Sequence, residues 1–228
     1  MFGLSLPLKA VIFDLDGTLI NSAIPFKEMK RKVITFLQAN GVKERLLNED
    51  MLSTEIINLA VSCLQQKGFS ENRVSDVLAQ VSNIMNEVEL QSTENATVIE
   101  GVPQTLRVLK ERGLKLGVMT RGCREYTHKI LAKFSLSRYF DTVAARDDVD
   151  QPKPNPEHAF HLLKLLGVKA QETLFVGDHW SDAECAKQAG LKFVFVSHGQ
   201  GIEKVQELGY PIIYNVNDIV RFFCIKRA

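Results

Sequence analysis

The feature that most restricts the fold is an alternation, from residue 100 onward, of short apolar runs with segments of helical periodicity. The apolar runs cover residues 114–120, 140–145, 173–178, 192–197 and 211–215, and the helical patterns cover 102–113, 124–134, 156–167, 181–190 and 218–226. Short apolar runs are typical of strands that are buried on both faces, and strands that alternate with helices form a parallel sheet with crossover connections. The pattern therefore predicts an α/β fold with a doubly wound, parallel-sheet, Rossmann-like core.

One further strand is separated from the others by a long insertion. Residues 11–20, VIFDLDGTLI, form an apolar run that contains two aspartates. Residues 22–97 then show helical periodicity without strand patterns, and residues 74–88 place Val, Leu, Ile and Met at i, i+3, i+4 and i+7. We therefore expect an inserted α-helical cap domain over residues 22–97, and a core made of residues 1–21 plus 98–228.

Composition and charge give no sign of a nucleic-acid or membrane partner. The chain of 228 residues has 28 Lys and Arg against 27 Asp and Glu, and no apolar run reaches the length of a membrane span. The N-terminal segment lacks the basic region of a signal peptide, and the four cysteines lie far apart without a C-x-x-C pair. We expect a cytoplasmic protein, and the sequence leaves its oligomeric state open.

Polar side chains end the predicted strands, at the edge where parallel sheets bind their ligands. In chain order they are Asp14 and Asp16 followed by Gly17-Thr18, then Thr120-Arg121, then Lys153, and finally Asp178 with Asp182 four residues on. We expect these acidic, hydroxyl and cationic groups to converge on one rim of the sheet.

The two aspartates that follow the first strand repel each other, so they require either a shared cation or a proton on one of them. Mg²⁺ prefers oxygen ligands, and we expect the carboxylates of Asp14 and Asp178 to bind it together with the backbone carbonyl of Asp16. Asp182 is placed to hold a metal-bound water. Asp14 is then an ionised nucleophile, and Asp16 is free to carry a proton as a general acid.

Phosphoryl transfer suits this set of groups, because its catalysis depends on positioning and on neutralising the oxygens of the transferred group. Lys153 offers a positive charge, Thr120 offers a hydroxyl group, and the Gly17-Thr18 turn offers backbone N–H groups. The sequence therefore predicts phosphate contacts from Thr18, Thr120 and Lys153, with Arg121 as a further candidate.

Taken together, these motifs resemble those of the haloacid dehalogenase superfamily, specifically its phosphatase branch with a helical cap after strand one, which includes phosphoglycolate phosphatases and β-phosphoglucomutases. The family's D-x-D-G-T motif is matched by Asp14-Leu15-Asp16-Gly17-Thr18, and its strand-end threonine by Thr120. Its lysine is matched by Lys153, and its G-D-x-x-x-D motif by Gly177, Asp178 and Asp182. The four motifs occur in the family's order and span nearly the whole chain.

The resemblance implies a mechanism and a substrate class. Asp14 would form an aspartyl-phosphate, and Asp16 would protonate the leaving alcohol and then accept a proton from the hydrolytic water. Thr120 and Lys153 would hold the phosphoryl group, while the cap would close over the rim and select the substrate. The expected activity is a Mg²⁺-dependent phosphatase that acts on a small phosphorylated metabolite, either phosphoglycolate-like or a sugar phosphate.

Several residues near the motifs are not part of the family's pattern. Arg121 stands where many family members have a small or amide residue, and either it contacts a second anionic group of the substrate or it is a solvated loop arginine. His179 and Trp180 have no assigned role. The remaining candidates, which we interpret as surface or core residues, are Cys123, His128, His158, His161 and His198.

Alternative functions use similar residues. A sugar-phosphate mutase of the same family would have the same core motifs. A phosphoacceptor signalling domain also combines an acidic cluster with a hydroxyl and a lysine, but such domains lack a long helical insertion after strand one. A dehalogenase needs neither a metal nor the proton that Asp16 supplies, and a binding protein without activity would not need the complete set of motifs.

Overall fold

The computed structural model describes residues 8–198, 206 and 209–223. Within these residues the chain forms two compact units, of which one is Ala23–Asn95 and the other is the rest of the described chain. The smaller unit consists of helices, and the larger unit is built on a parallel sheet.

The smaller unit contains helices α1 (Phe26–Ala39), α2 (Ser53–Gln66) and α3 (Glu71–Ser92), with a 3-10 turn at Glu44–Leu46. Its apolar stripe lies on α3, where Val74, Val77, Val81, Met85 and Val88 are buried. Helix α3 packs against both α1 and α2 through this kind of helical spacing. The three helices follow the periodicity of the sequence to within a few residues.

The described part of the larger unit contains eight short strands, at β1 (Ala10–Phe13), β2 (Ile20–Asn21), β3 (Thr97–Val98), β4 (Lys115–Met119), β5 (Thr142–Ala144), β6 (Thr173–Gly177), β7 (Lys192–Val196) and β8 (Ile212–Ile213). Strands β2 and β3 pair with each other in antiparallel fashion. The other described strands form one parallel sheet in the order β5-β4-β1-β6-β7-β8. This is the doubly wound Rossmann order, which confirms the predicted fold class.

The first strand is shorter than the apolar run that overlaps it. The apolar run over residues 11–20 continues past the strand, but β1 ends at Phe13. The Leu15 carbonyl accepts hydrogen bonds from the N–H groups of Leu19 (2.9 Å) and Ile20 (3.0 Å), which bends the chain into a tight turn. The turn places Ile20 in β2, a strand that the sequence pattern did not reveal.

Helices cross between the strands of the sheet at α4 (Val102–Glu111), α5 (Arg124–Lys133), α6 (Pro156–Leu166) and α7 (Trp180–Ala189). Short 3-10 segments lie at Ser137–Tyr139, Arg146–Asp148, Ala170–Glu172 and Val216–Phe223. The predicted helix over 218–226 is therefore a 3-10 segment as far as Phe223, and its remainder lies outside the described residues. No helix in the described ranges has both the length and the hydropathy that crossing a bilayer requires.

An apolar core joins the sheet to helices α6 and α7. Phe175 of β6 and Phe193 of β7 meet edge to face there, with ring centroids 5.6 Å apart. Leu162 of α6 and Ala186 of α7 belong to the same cluster and are fully buried. This cluster buries the part of the sheet that packs against α6 and α7.

Candidate active site

Three carboxylates meet where the strand order reverses, between β1 and β6. Asp14 follows β1, Asp178 follows β6, and Asp182 lies in the first turn of α7. Each offers a carboxylate oxygen within 4.8 Å of the other two. The backbone N–H of Asp14 donates to the carbonyl of Val176 (2.9 Å), which fixes the end of β1 against its neighbour.

Lys153 lies between two of these carboxylates. Its ammonium group donates to Asp14 Oδ1 (2.7 Å) and lies 2.7 Å from Asp182 Oδ1. The lysine is fully buried, and its Nζ is 5.4 Å from the ring centroid of Phe175. The other Asp182 oxygen accepts the backbone N–H of His179 (3.0 Å), so the carboxylate is fixed from two sides.

The charges of this cluster do not balance, because three carboxylates share one ammonium group. Burial, reinforced by the charge of Asp182 and opposed by Lys153, raises the pKa of Asp14 to about 6. Burial and the charges of Asp14 and Asp182 likewise raise the pKa of Asp178 well above its usual value. Burial favours the neutral form of Lys153, but the two carboxylates outweigh it and raise its pKa. The excess negative charge is what a bound cation would neutralise.

The donor set fits a hard divalent cation. Three carboxylates within reach of one another supply the oxygen ligands that Mg²⁺ prefers. Gly17 has a φ of +87°, and a Cβ at this position would overlap the Asp178 carboxylate. A glycine is therefore required both by the backbone and by the close approach of the acidic group.

The turn after β1 uses its own polar groups in a way that the sequence did not predict. The Thr18 hydroxyl donates to Asp178 Oδ1 (2.8 Å) and orients that carboxylate. The Gly17 N–H donates to the Ile20 carbonyl (2.8 Å), and the Thr18 N–H is directed to the Leu15 carbonyl (3.4 Å). These N–H groups are engaged within the turn, so the structure gives no support to the phosphate contacts expected of them.

Asp16 lies in a different environment from Asp14, although only one residue separates them. It is half-buried, and its Oδ1 accepts a hydrogen bond from the Tyr126 hydroxyl (2.6 Å). Tyr126 is fully buried on α5. One aspartate thus has a lysine as its partner, and the other has a phenol.

Thr120 and Arg121 begin the loop after β4. The Thr120 backbone N–H donates to the carbonyl of Ala144 (3.0 Å), and its hydroxyl oxygen accepts the Gly122 N–H (3.0 Å). The Arg121 carbonyl accepts a hydrogen bond from Arg146 Nη1 (3.0 Å). Among the described residues, the Arg121 guanidinium has no hydrogen bond or ion pair of its own, and both interpretations of its role remain open.

The model of the haloacid dehalogenase-like hydrolase family matches residues 11–196. The chain belongs to this family. It is 31% identical over 196 residues to a phosphoglycolate phosphatase of Pseudomonas fluorescens, covering 84% of this chain and 70% of that protein. It is also 31% identical over 199 residues to pyrophosphatase PpaX of Halalkalibacterium halodurans, covering 84% of each. The family resemblance predicted from the motifs is confirmed.

Crystal structures of other hydrolases show the same fold as this haloacid dehalogenase-like hydrolase. A hydrolase from Pseudomonas syringae matches with a TM-score of 0.67 at 21% identity, over 93% of this chain and 96% of the other. A superfamily member from Ehrlichia chaffeensis matches with a TM-score of 0.59 at 22% identity, over 96% and 97%. Membership in this hydrolase family favours an enzyme over a phosphoacceptor signalling domain.

Sequence reasoning missed three residues that contact the motifs of this haloacid dehalogenase-like hydrolase. Tyr126 contacts Asp16, His198 Nε2 lies 2.5 Å from the Gly17 carbonyl oxygen, and His158 contacts the backbone of Lys153. A buried aromatic residue on a helix has the same sequence signal whether or not its polar atom contacts a site. Only the distance between chain segments, which the structure supplies, distinguishes the two cases.

Residues without an assigned role now have structural ones. His179 is the N-cap residue that precedes α7, and its Nδ1 accepts the backbone N–H of Ser181 (3.2 Å). Trp180 is the first residue of that helix, and its ring lies 5.6 Å from the His179 ring. Cys123 is buried and begins α5, where its Sγ accepts the Tyr126 N–H (3.4 Å), in agreement with its interpretation as a core residue.

Proposed function

We propose that this protein is a Mg²⁺-dependent phosphatase that hydrolyses a small phosphorylated metabolite through an aspartyl-phosphate on Asp14. The observation that carries the proposal is the cluster of Asp14, Asp178 and Asp182, in which Lys153 contacts Asp14 and Asp182. Burying like charges next to one another costs free energy, and a bound cation would neutralise the excess negative charge. Lys153 and Thr120 would hold the phosphoryl group beside it.

The two aspartates divide the reaction between them. A carboxylate oxygen of Asp14 attacks phosphorus, the ester P–O bond breaks, and Asp16 gives its proton to the departing alkoxide. Water then attacks the aspartyl-phosphate, Asp16 takes a proton from that water, and inorganic phosphate leaves. The environments support this division, because Asp14 is held by Lys153 while Asp16 is half-buried and held by a neutral hydroxyl.

Mg²⁺ would be held by the carboxylates of Asp14 and Asp178 and the backbone carbonyl of Asp16, with Asp182 supporting a bound water. When bound, the cation neutralises charge on the carboxylates and on the phosphoryl oxygens. Thr18 orients Asp178 through its hydroxyl, and Lys153 holds Asp14. These contacts fix the ligands before the substrate arrives.

The substrate is a small phosphate ester or anhydride, since relatives at 30–31% identity include phosphoglycolate phosphatases and a pyrophosphatase. A sugar phosphate is the other candidate, and a mutase would leave a phosphorylated product. The helical unit, Ala23–Asn95, would act as the cap that selects the substrate. Cys63, Cys123 and Cys185 are buried as thiols and not as disulfides. This is consistent with the proposed cytoplasmic location, where thiols stay reduced.

The test is phosphate release from a panel of phosphorylated metabolites, pyrophosphate and p-nitrophenyl phosphate in the presence of Mg²⁺. Asp14→Asn removes the nucleophile, so we expect kcat to fall by about 10³-fold or more with the fold retained by circular dichroism. Asp76→Asn makes the same chemical change at an exposed position of α3 and should leave kcat unchanged. Chelation with EDTA should abolish phosphate release, and added Mg²⁺ should restore it.

Three results would contradict the proposal. Near-normal turnover of p-nitrophenyl phosphate by Asp14→Asn would exclude Asp14 as the nucleophile. An activity that EDTA leaves intact would exclude the metal. A product that stays phosphorylated at another carbon would identify a mutase in place of a phosphatase.

A further inference from the structure

The two groups that would hold the phosphoryl oxygens come from different loops. Thr120 follows β4, and Lys153 lies between β5 and α6. Neither residue is inside a strand, so the sheet ladder alone does not set the distance between them. A side chain that contacts both loops would set this distance.

His158 makes such a connection. It lies in the first turn of α6 and is fully buried. Its Nδ1 is 3.3 Å from the backbone nitrogen of Lys153, and its Nε2 is 3.1 Å from the carbonyl oxygen of Ala144, the last residue of β5. The same Ala144 carbonyl accepts the backbone N–H of Thr120 (3.0 Å). One imidazole is therefore hydrogen-bonded to the Lys153 loop and, through a shared carbonyl, to the Thr120 loop.

The partners of His158 allow only one form of the ring. The Lys153 N–H can only donate and the Ala144 carbonyl can only accept, so Nδ1 is the acceptor and Nε2–H the donor of a neutral imidazole. Burial, together with the nearby ammonium of Lys153, lowers the pKa of His158 to about 3, in agreement with a neutral ring. The ring acts as a fixed link with two ends, and it takes no proton near neutral pH.

We propose that His158 is a positioning residue that holds Lys153 and Thr120 at the spacing that the phosphoryl group requires. The inference rests on the proposed function, in which these two residues contact the phosphoryl oxygens. Lys153 Nζ is within 2.7 Å of both Asp14 and Asp182, so a small shift of its backbone would break two short contacts. A misplacement of about 1 Å can reduce catalysis by about 10²-fold.

Two substitutions separate positioning from ordinary core packing. His158→Leu keeps an apolar side chain in the buried space but makes neither hydrogen bond. His158→Asn is smaller and polar, yet its Oδ1 can accept the Lys153 N–H in place of Nδ1. A packing role favours Leu over Asn in both stability and activity, whereas a positioning role favours Asn over Leu in activity.

The experiment measures kcat and KM with p-nitrophenyl phosphate and Mg²⁺ for the wild type, both variants and His161→Leu, a change on the same helix outside the site. We expect kcat/KM to fall by about 10²-fold in His158→Leu and by about tenfold in His158→Asn, and to stay unchanged in His161→Leu. Circular dichroism and thermal unfolding show which variants are folded. If His158→Leu does not fold, His158→Asn against the wild type still tests the prediction.

A second readout does not depend on turnover. Isothermal titration calorimetry with inorganic phosphate or orthovanadate in Mg²⁺ buffer measures the Kd of the anion. The Kd should rise more in His158→Leu than in His158→Asn. If the wild type hydrolyses no substrate, the proposed function fails, and this order of binding still decides the role of His158. A folded His158→Leu that equals or exceeds His158→Asn in both kcat/KM and phosphate binding would overturn the inference.

Discussion

The two compact units of this protein differ in the burial of their ion pairs. In the sheet unit, Lys153 and Asp14 are buried and in contact although 139 residues separate them in the chain. In the helical unit, a typical ion pair is that of Lys27 and Asp50, whose side chains are 66% and 79% exposed. Exposed pairs of this kind contribute about 0–1 kcal/mol to stability, whereas breaking a buried pair costs several times more.

This difference indicates that the reacting groups lie in the sheet unit and that the helical unit is stabilised mainly by apolar packing. The helical unit buries an apolar stripe and leaves ion pairs such as Lys27–Asp50 and Lys32–Glu28 in solvent, although the acidic residue Glu89 of α3 is buried. The sheet unit buries charges that repel one another, which is costly for folding and is typical of active sites. Substitutions at the buried charges of the sheet unit should therefore lower both kcat and the free energy of unfolding. Substitutions in the helical unit should lower mainly the free energy of unfolding.

The largest effect is expected from Lys153→Met, compared with Lys30→Met in the helical unit. The first change leaves Asp14 and Asp182 without their buried cation, so it should lower the free energy of unfolding by about 3–5 kcal/mol and kcat by about 10²-fold or more. The second removes hydrogen bonds to the carbonyls of Glu49 and Met51 (2.8 Å each) and should cost only about 1–3 kcal/mol of stability.

Urea unfolding and steady-state kinetics check this pair of variants. The activity of each variant is normalised to its folded fraction, because Lys153→Met is expected to be partly unfolded in mild denaturant. A Lys30→Met variant that loses as much kcat as Lys153→Met would remove the distinction between the units.

A smaller effect, on stability alone, is expected from Val81→Ala. Val81 is fully buried in the stripe of α3, and losing its two methyl groups should cost about 1–3 kcal/mol. Well below the unfolding temperature kcat with p-nitrophenyl phosphate should change less than twofold. Gln80→Ala, at the exposed neighbouring position, is the control and should shift the free energy of unfolding by less than about 0.5 kcal/mol. A large loss of kcat in folded Val81→Ala would show that the stripe supports the chemistry directly.

Most of the fold was predictable from the periodicity of apolar residues, because both the sheet and the helices bury regular apolar patterns. The alternation of apolar runs predicted the order of elements, but the apolar run over residues 11–20 did not show the turn that brings residues 19 and 20 back to Leu15. Leu19 is apolar and fully buried, so its pattern is that of a strand, yet its N–H bonds the Leu15 carbonyl in a turn. Hydrophobic patterns report burial and not backbone hydrogen bonding.

The candidate site was predictable where motif residues end strands and was not where helix residues reach into it. Asp14 and Asp178 follow adjacent strands, and the topology alone brings them together. The partner of Tyr126 is 110 residues away, and that of Thr18 is 160 residues away. No local pattern encodes such pairings, because an aromatic residue on a helix is buried for its apolar ring in any case.

The smallest effect we predict is that of Tyr126→Phe, which removes only the hydroxyl that donates to Asp16. A hydrogen bond of this kind contributes about 1–1.5 kcal/mol, which corresponds to about tenfold in rate. If the contact orients Asp16 for proton transfer, the loss should depend on the leaving group. Hydrolysis of an alkyl phosphate should slow by about tenfold, because the departing alkoxide needs a proton.

Hydrolysis of p-nitrophenyl phosphate should slow much less, since nitrophenolate leaves without protonation. Tyr139→Phe is the matched control, because its hydroxyl contacts only the exposed side chain of Arg138 (3.1 Å) among its described side-chain partners. If Tyr126→Phe slows the hydrolysis of both substrates equally, the hydroxyl has a structural role in the turn that contains Asp16 and no specific role in proton transfer. No slowing of either substrate would show that the Tyr126 hydroxyl does not support proton transfer by Asp16.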